Sequence, residues 1–111
     1  MKRDLFNNFV PDVPPNTVVT TARCGTKWAD LRPGDTIRVH SGTCPADQKF
    51  EFEGEVVSVE VLAFDQVTAK DVATNACTEA RSYYALLSKM EAAYPGFSPG
   101  EVITVVRYRR K

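Results

Sequence analysis

The sequence is short of most features that announce a function directly. Three cysteines, Cys24, Cys44 and Cys77, occur in 111 residues. The number is odd and no CxxC pair is among them, which excludes a paired disulfide framework and the usual zinc-ribbon spacings. The single histidine, His40, could join the cysteines only as an irregular set, and it alternates as a strand residue does. Neither a metal nor any other cofactor is therefore expected. No apolar run has the length of a membrane span or the layout of a leader, and thiols without a framework suit a reducing compartment. The expected setting is cytoplasmic, with no membrane partner. Lys and Arg number 14 and Asp and Glu number 14, so the net charge is zero. No global field draws nucleic acid to the molecule; only a local patch would do so. Repeats and low-complexity tracts are lacking too, which excludes a solenoid.

What is present fits one globular core, since a chain of this length does not divide into two. The expected division is an N-terminal extension over residues 1–16 and a domain over residues 17–111. The extension, "MKRDLFNNFVPDVPPN", holds three prolines and three asparagines; a short amphipathic piece around Leu5, Phe6 and Phe9 is expected to pass into extended chain. Charge is segregated. Lys2 and Arg3 lie at one end, Arg107, Arg109, Arg110 and Lys111 at the other, and Glu51, Glu53, Glu55 and Glu60 between them. A terminal basic run reads as a solubilising, frayed end.

Residues 17–23 are rich in β-branched side chains and predict a strand with Val19, Thr21 and Arg23 on one face. In "LRPGD", Pro33 and Gly34 predict a turn, with proline fixing φ and glycine accepting a positive φ. A strand over 36–40 and a loop over 41–48 should follow. From Phe50 the apolar positions are even-numbered (Phe50, Phe52, Val56), and then odd-numbered (Val57, Val59, Val61, Ala63). A period-two pattern that slips by one inside a strand predicts a β-bulge, and a long bent strand of this kind favours a closed barrel. Thr68 predicts a helix N-cap, with Asp71 three residues on and Val67 and Val72 as a staple. A second helix from Ser82 is predicted by the stripe Tyr83, Leu86, Leu87, Met90 and Tyr94. "YPGFSPG" stops it, and residues 102–108 predict a last strand.

Four motifs in this order carry a resemblance: "TAR" (Thr21 to Arg23), "GTKWADLRPGD" (Gly25 to Asp35), "EARSYYALL" (Glu79 to Leu87) and "YPG" (Tyr94 to Gly96) before an apolar strand. Together they resemble the ASCH domains of the PUA-like superfamily. The resemblance implies an α+β fold, a small PUA-like mixed β-barrel with two helices inserted before the last strand. It also implies a cleft between barrel and helices that binds single-stranded RNA or a modified nucleoside. A small bacterial branch that hydrolyses acetylcytidine is similar in length and layout. Its pattern of a lysine, a threonine three residues later and a glutamate before the last helix places the threonine on Thr21 and the glutamate on Glu79. The lysine position falls on Val18, which cannot act as a base.

The residues themselves allow concrete roles. Arg23 offers a fork of donors to a phosphate or base edge. Lys27 and Trp28 pair an ammonium with an indole that can stack on an unpaired base, and Arg81 joins them as a basic candidate. Each also has a structural reading: Thr21 as a strand former, Arg23 in a surface ion pair, Trp28 as a plug beneath its loop, and Glu79 settled by a helix dipole. The leading expectation is a module binding RNA or a modified nucleoside without a cofactor. An amidohydrolase on acetylcytidine-type nucleosides, or an RNA-cleaving hydrolase, with Thr21 and Glu79 in the site, stays open. So does a protein-interaction barrel without catalysis.

Overall fold

A computed structural model describes residues 2–7, 13–42, 48–77 and 80–111. Five strands form one sheet: β1 (Lys2–Asn7), β2 (Val18–Cys24), β3 (Thr36–Ser41), β4 (Lys49–Ala63) and β5 (Val102–Arg110). Two helices, α1 (Ala69–Ala73) and α2 (Tyr83–Ala93), fall between β4 and β5 along the chain. The strand order is β1-β3-β4-β5-β2. β1 runs parallel to β3, and the remaining neighbours are antiparallel. The mixed sheet with two helices before the last strand thus matches the sequence reading.

The closed PUA-like barrel does not. β1 and β2 stand at the two ends of the order and do not pair with each other, whereas a barrel needs a ladder that continues round the ring. The outer edge of β2 is already occupied. Thr20 N–H donates to the Thr74 carbonyl at 2.9 Å, and its own carbonyl accepts from Ala76 N at 2.8 Å. The segment between the helices therefore takes hydrogen-bonding positions that closure would use. Side chains span the gap instead: Arg3 on β1 donates to Asp30 and to the Lys27 carbonyl, in the loop that follows β2.

The sheet nevertheless curls. Leu5 on β1 and Val19 on β2, from opposite ends of the order, share one core with Ile37, Val39, Phe52, Val56, Val106 and Tyr108. This concave face is one layer. The other lies beneath the helices, where Phe64, Val72, Leu86, Met90 and Phe97 pack against Ile103 and Val105. The alternation of β5 allots Val106 and Tyr108 to the first and Ile103 and Val105 to the second. Residue pairs facing each other across an antiparallel ladder share a face. Since Val19, Thr21 and Arg23 stand opposite Tyr108, Val106 and Thr104, all six belong to the concave side.

The phase slip in β4 is a bulge, seen as a register shift between Val56 and Ser58 against β5. Before it, Phe52, Gly54 and Val56 are buried. After it, Val59 packs on the concave core, but Val57 and Val61 are 37% and 46% exposed. β3 pairs with β4 only as far as Thr36 opposite Glu55, so the later part of β4 has lost the neighbour that would cover those valines. Gly54 is required for close packing: a Cβ there would lie 2.8 Å from Cδ2 of Tyr108.

The helices start where the caps predict. Thr68 Oγ1 accepts from Asp71 N at 3.1 Å, and Ser82 Oγ accepts from Ala85 N at 3.2 Å. Asp71 also ties α1 to the sheet. Its carboxylate receives Arg107 Nε at 2.7 Å and Nη2 at 2.6 Å, while the same guanidinium reaches Ser58 Oγ and Glu60 Oε1, both at 3.1 Å. The basic run at the chain's end is therefore built into β5: Arg107 is a structural tie, and Arg110 lies over the Phe52 ring at 4.9 Å. Residues 2–7, placed by the sequence in an amphipathic extension, form a strand of the common sheet.

Candidate functional site

A polar corner sits at the end of the concave face. β2 places Thr21 and Arg23 on the same side, two residues apart, and Arg23 Nε donates to Thr21 Oγ1 at 3.2 Å. Gly25, at φ +77°, then turns the chain out of the strand. Its carbonyl accepts from the fully buried Thr104 hydroxyl at 2.7 Å, which fixes where the following loop begins. That loop presents Trp28, half-buried against the concave core, with its ring centroid 6.0 Å from Arg23 Cζ. Lys27 beside it is exposed.

Burial pulls the Arg23 guanidinium below its ordinary pKa, and Tyr94 and Tyr108 oppose that pull, Tyr94 through a side-chain hydrogen bond as well. The Tyr108 side chain is fully buried, and among the described residues its hydroxyl has no hydrogen-bond partner. Burial pushes its pKa up to about 12 despite the nearby positive charge of Arg23. A buried hydroxyl left unpaired costs about 1–3 kcal/mol. A polar atom kept at that cost beside a desolvated guanidinium is the kind of feature that accumulates at binding sites.

The structure divides the residues singled out from the sequence. Thr21, Arg23 and Trp28 are brought together, with Lys27 adjoining them on the loop. Val18 is exposed and pairs with Arg109. Three positions from Thr21, it leaves the strand on the opposite face, so a lysine there would point away from the threonine hydroxyl. Arg81 is elsewhere: its Nε donates to the Asn75 carbonyl at 3.0 Å, and it lines a cavity of about 330 Å³ with Val67, Ala69, Val72, Ser82 and Tyr83. Glu79 and Cys44 lie outside the described residues. Among the described residues no group of three His, Cys, Asp or Glu side chains converges as a metal site; His40 Nε2 lies 2.9 Å from Asp4 Oδ1.

Three contributors escaped the sequence reading, which placed Tyr94, now a hydrogen-bond partner of Arg23, only in the stripe of α2 and the motif that stops it. Tyr108 follows the apolar run of the last strand and joins the corner only through the β2–β5 register. Arg3 lies 25 positions before Trp28, yet its guanidinium sits 4.2 Å from the ring centroid. No local pattern marks Tyr108 or Arg3.

An open, curled mixed sheet with two helices on one side defines the fold class, and the solved structures give it company. The ASCH domain from Lactobacillus crispatus JV V101 superposes with a TM-score of 0.67 at 11% identity, covering 98% of this chain and 79% of that one. A protein of family DUF984 from Enterococcus faecalis V583 superposes with a TM-score of 0.55 at 13% identity, covering 83% of this chain and 62% of its own length. At these identities the likeness is one of fold. No family model and no curated protein matches the sequence.

Proposed function

We propose that the chain forms an ASCH-type module, with β1 part of its sheet, that binds single-stranded RNA or a modified nucleoside in the polar corner of the concave face. The observation that carries the reading is the convergence of Thr21, Arg23 and Trp28 with the buried Tyr108 hydroxyl, which has no hydrogen-bond partner among the described residues. An acceptor-rich base edge or a phosphate suits the Arg23 fork. The Trp28 ring supplies a π-face for an unpaired base, and Lys27 supplies charge at the rim. The fold shared with an ASCH domain supports the same assignment.

Binding is preferred to hydrolysis on chemical grounds. A threonine attacks only if something removes its proton. Among the described residues the Thr21 hydroxyl has one contact, Arg23, and that contact donates a proton to it rather than accepting one.

An NMR titration with cytidine, acetylcytidine and a short single-stranded RNA tests the proposal. Binding should shift Thr21, Arg23, Trp28 and Tyr108 and leave Arg81 still. RNA affinity should fall with salt, and Arg23→Ala should flatten that dependence. Shifts confined to the Arg81 cavity, or none at all, would overturn the assignment.

A further inference from the structure

We infer that the loop from Lys27 to Asp30 is a guanidinium-binding site, filled from within the chain by Arg3, which latches shut the gap between the two ends of the sheet. Three groups make the receptor. Arg3 Cζ lies 4.2 Å from the Trp28 ring centroid. One terminal nitrogen of the guanidinium meets the Asp30 carboxylate, and the other donates to the Lys27 carbonyl at 2.8 Å. An aromatic face, an anionic acceptor and a neutral acceptor together match a planar fork of donors, a shape that an ammonium does not have.

The site is accessible. The Arg3 side chain retains 21% of its surface and Asp30 retains 62%, so the latch can exchange with solutes. Opening it leaves β1 in place, because β1 is held separately by its parallel ladder to β3 and by Asp4, which accepts from Arg38 Nε at 2.9 Å and Nη2 at 3.1 Å. Rotation of one arginine side chain is enough to uncover the indole, a motion fast for a partly exposed residue. The consequence for ligands rests on the nucleoside reading above: a base stacking on the Trp28 face now held by Arg3 must displace that guanidinium. The latch is then a selectivity filter that admits only ligands stacking more strongly than the arginine does. The receptor itself does not depend on that reading.

Trp28 is the chain's only tryptophan, so its emission reports this site alone. Arg3→Met keeps the aliphatic stem and removes the fork. Acrylamide quenching of Trp28 should rise in Arg3→Met, and dilute guanidinium ion should reverse the rise where matched sodium chloride does not. Asp30→Asn should weaken the reversal. Cytidine or single-stranded RNA should bind Arg3→Met roughly two- to fivefold more tightly than wild type, the worth of one exposed cation–π contact. Should Arg3→Met fail to fold, Arg3→Lys and Asp30→Asn supply the comparison, since each should raise quenching in an otherwise intact chain. Quenching unchanged in all these variants, or reversal by sodium as effective as by guanidinium, overturns the receptor. Reversal by guanidinium with no nucleoside or RNA binding in either protein leaves the receptor standing and refutes the proposed function instead.

Discussion

Replacing Arg107 with methionine puts the attachment of α1 to the sheet to a direct test. The substitution keeps an unbranched stem and removes all the guanidinium contacts at once: two bonds to Asp71, one to Ser58 and one to Glu60. The Asp71 side chain is 5% exposed and would keep its charge in a nearly dry place; Arg107 is 24% exposed, which tempers the loss through solvent screening. Breaking a fully buried pair by removing one partner costs about 3–5 kcal/mol. With this partial exposure the expected cost at pH 7 is about 2–4 kcal/mol, a large share of the roughly 5–15 kcal/mol that holds a domain of this size together. Urea unfolding reads it as a midpoint lowered by about 1–3 M. The pH dependence fixes the cause. Hydrogen bonds from Arg107 hold the Asp71 carboxyl below its ordinary value. Its contribution is therefore present above the usual carboxylate range and lost as pH falls through the depressed folded value. The gap between wild type and Arg107→Met should close as the solution is acidified below about pH 4. Asp71→Asn with Arg107→Met together should cost less than the sum of the two single changes. A cost below about 1 kcal/mol, or one unaffected by acid, would refute the argument.

Tyr108→Phe should leave stability unchanged or raise it by about 1 kcal/mol in urea unfolding, because it deletes a buried hydroxyl with no partner among the described residues; ligand titration should show weaker binding, and a clear loss of stability would mean the hydroxyl is paired after all. The same residue should ionise near pH 12 in an ultraviolet alkaline titration. With its folded pKa raised, its contribution to stability is complete below pH 10 and lost between there and about pH 12. Gly54→Ala should lower the thermal midpoint by the equivalent of about 1–3 kcal/mol, since the new Cβ would meet a fully buried Tyr108 ring that has nowhere to move. Acetate release from acetylcytidine should not exceed the buffer rate in wild type or in Val18→Lys, whose new side chain points away from Thr21; robust wild-type turnover abolished by Thr21→Ala would sink the binding reading.

Local chemistry was legible in the sequence wherever the physics is local. The N-caps at Thr68 and Ser82, the stripe beneath α2 and the slip at Val57 depend on residues within a few positions of each other, and each predicted element forms close to where its pattern lies. The alternation of β2 likewise put Thr21 and Arg23 on one face correctly. What the sequence withheld were relations between distant segments. Bent strands argued for a barrel, but closure depended on whether β1 could reach β2, and no pattern records that residues 74–76 occupy the edge of Thr20. Arg107 read as part of a frayed basic end because its partners, Asp71, Ser58 and Glu60, lie 36 to 49 positions away. Prolines after residue 10 concealed β1, whose ladder is made with β3 and not with its neighbours in sequence. Within the site, Thr21, Arg23 and Trp28 carried signals from their residue types, whereas Tyr108 looked like one more member of an apolar run.

The central place of β5 in the strand order governs how this chain must fold. β2 precedes β5 with β3, β4 and both helices between them, yet among the described residues its only strand partner is β5, in a ladder that joins Val18 to Arg109 and Cys24 to Ile103. Until β5 docks on β4, β2 can pair only through the short bridge at Thr20 with residues 74–76, and the concave core lacks both Val106 and Tyr108. Contacts so distant in sequence must close large loops before they yield any binding energy, which slows the search for the native state. The rate-limiting event is therefore expected to be the arrival of β5 between β4 and β2, a step that brings Val106 and Tyr108 to one core and Ile103 and Val105 to the other at once.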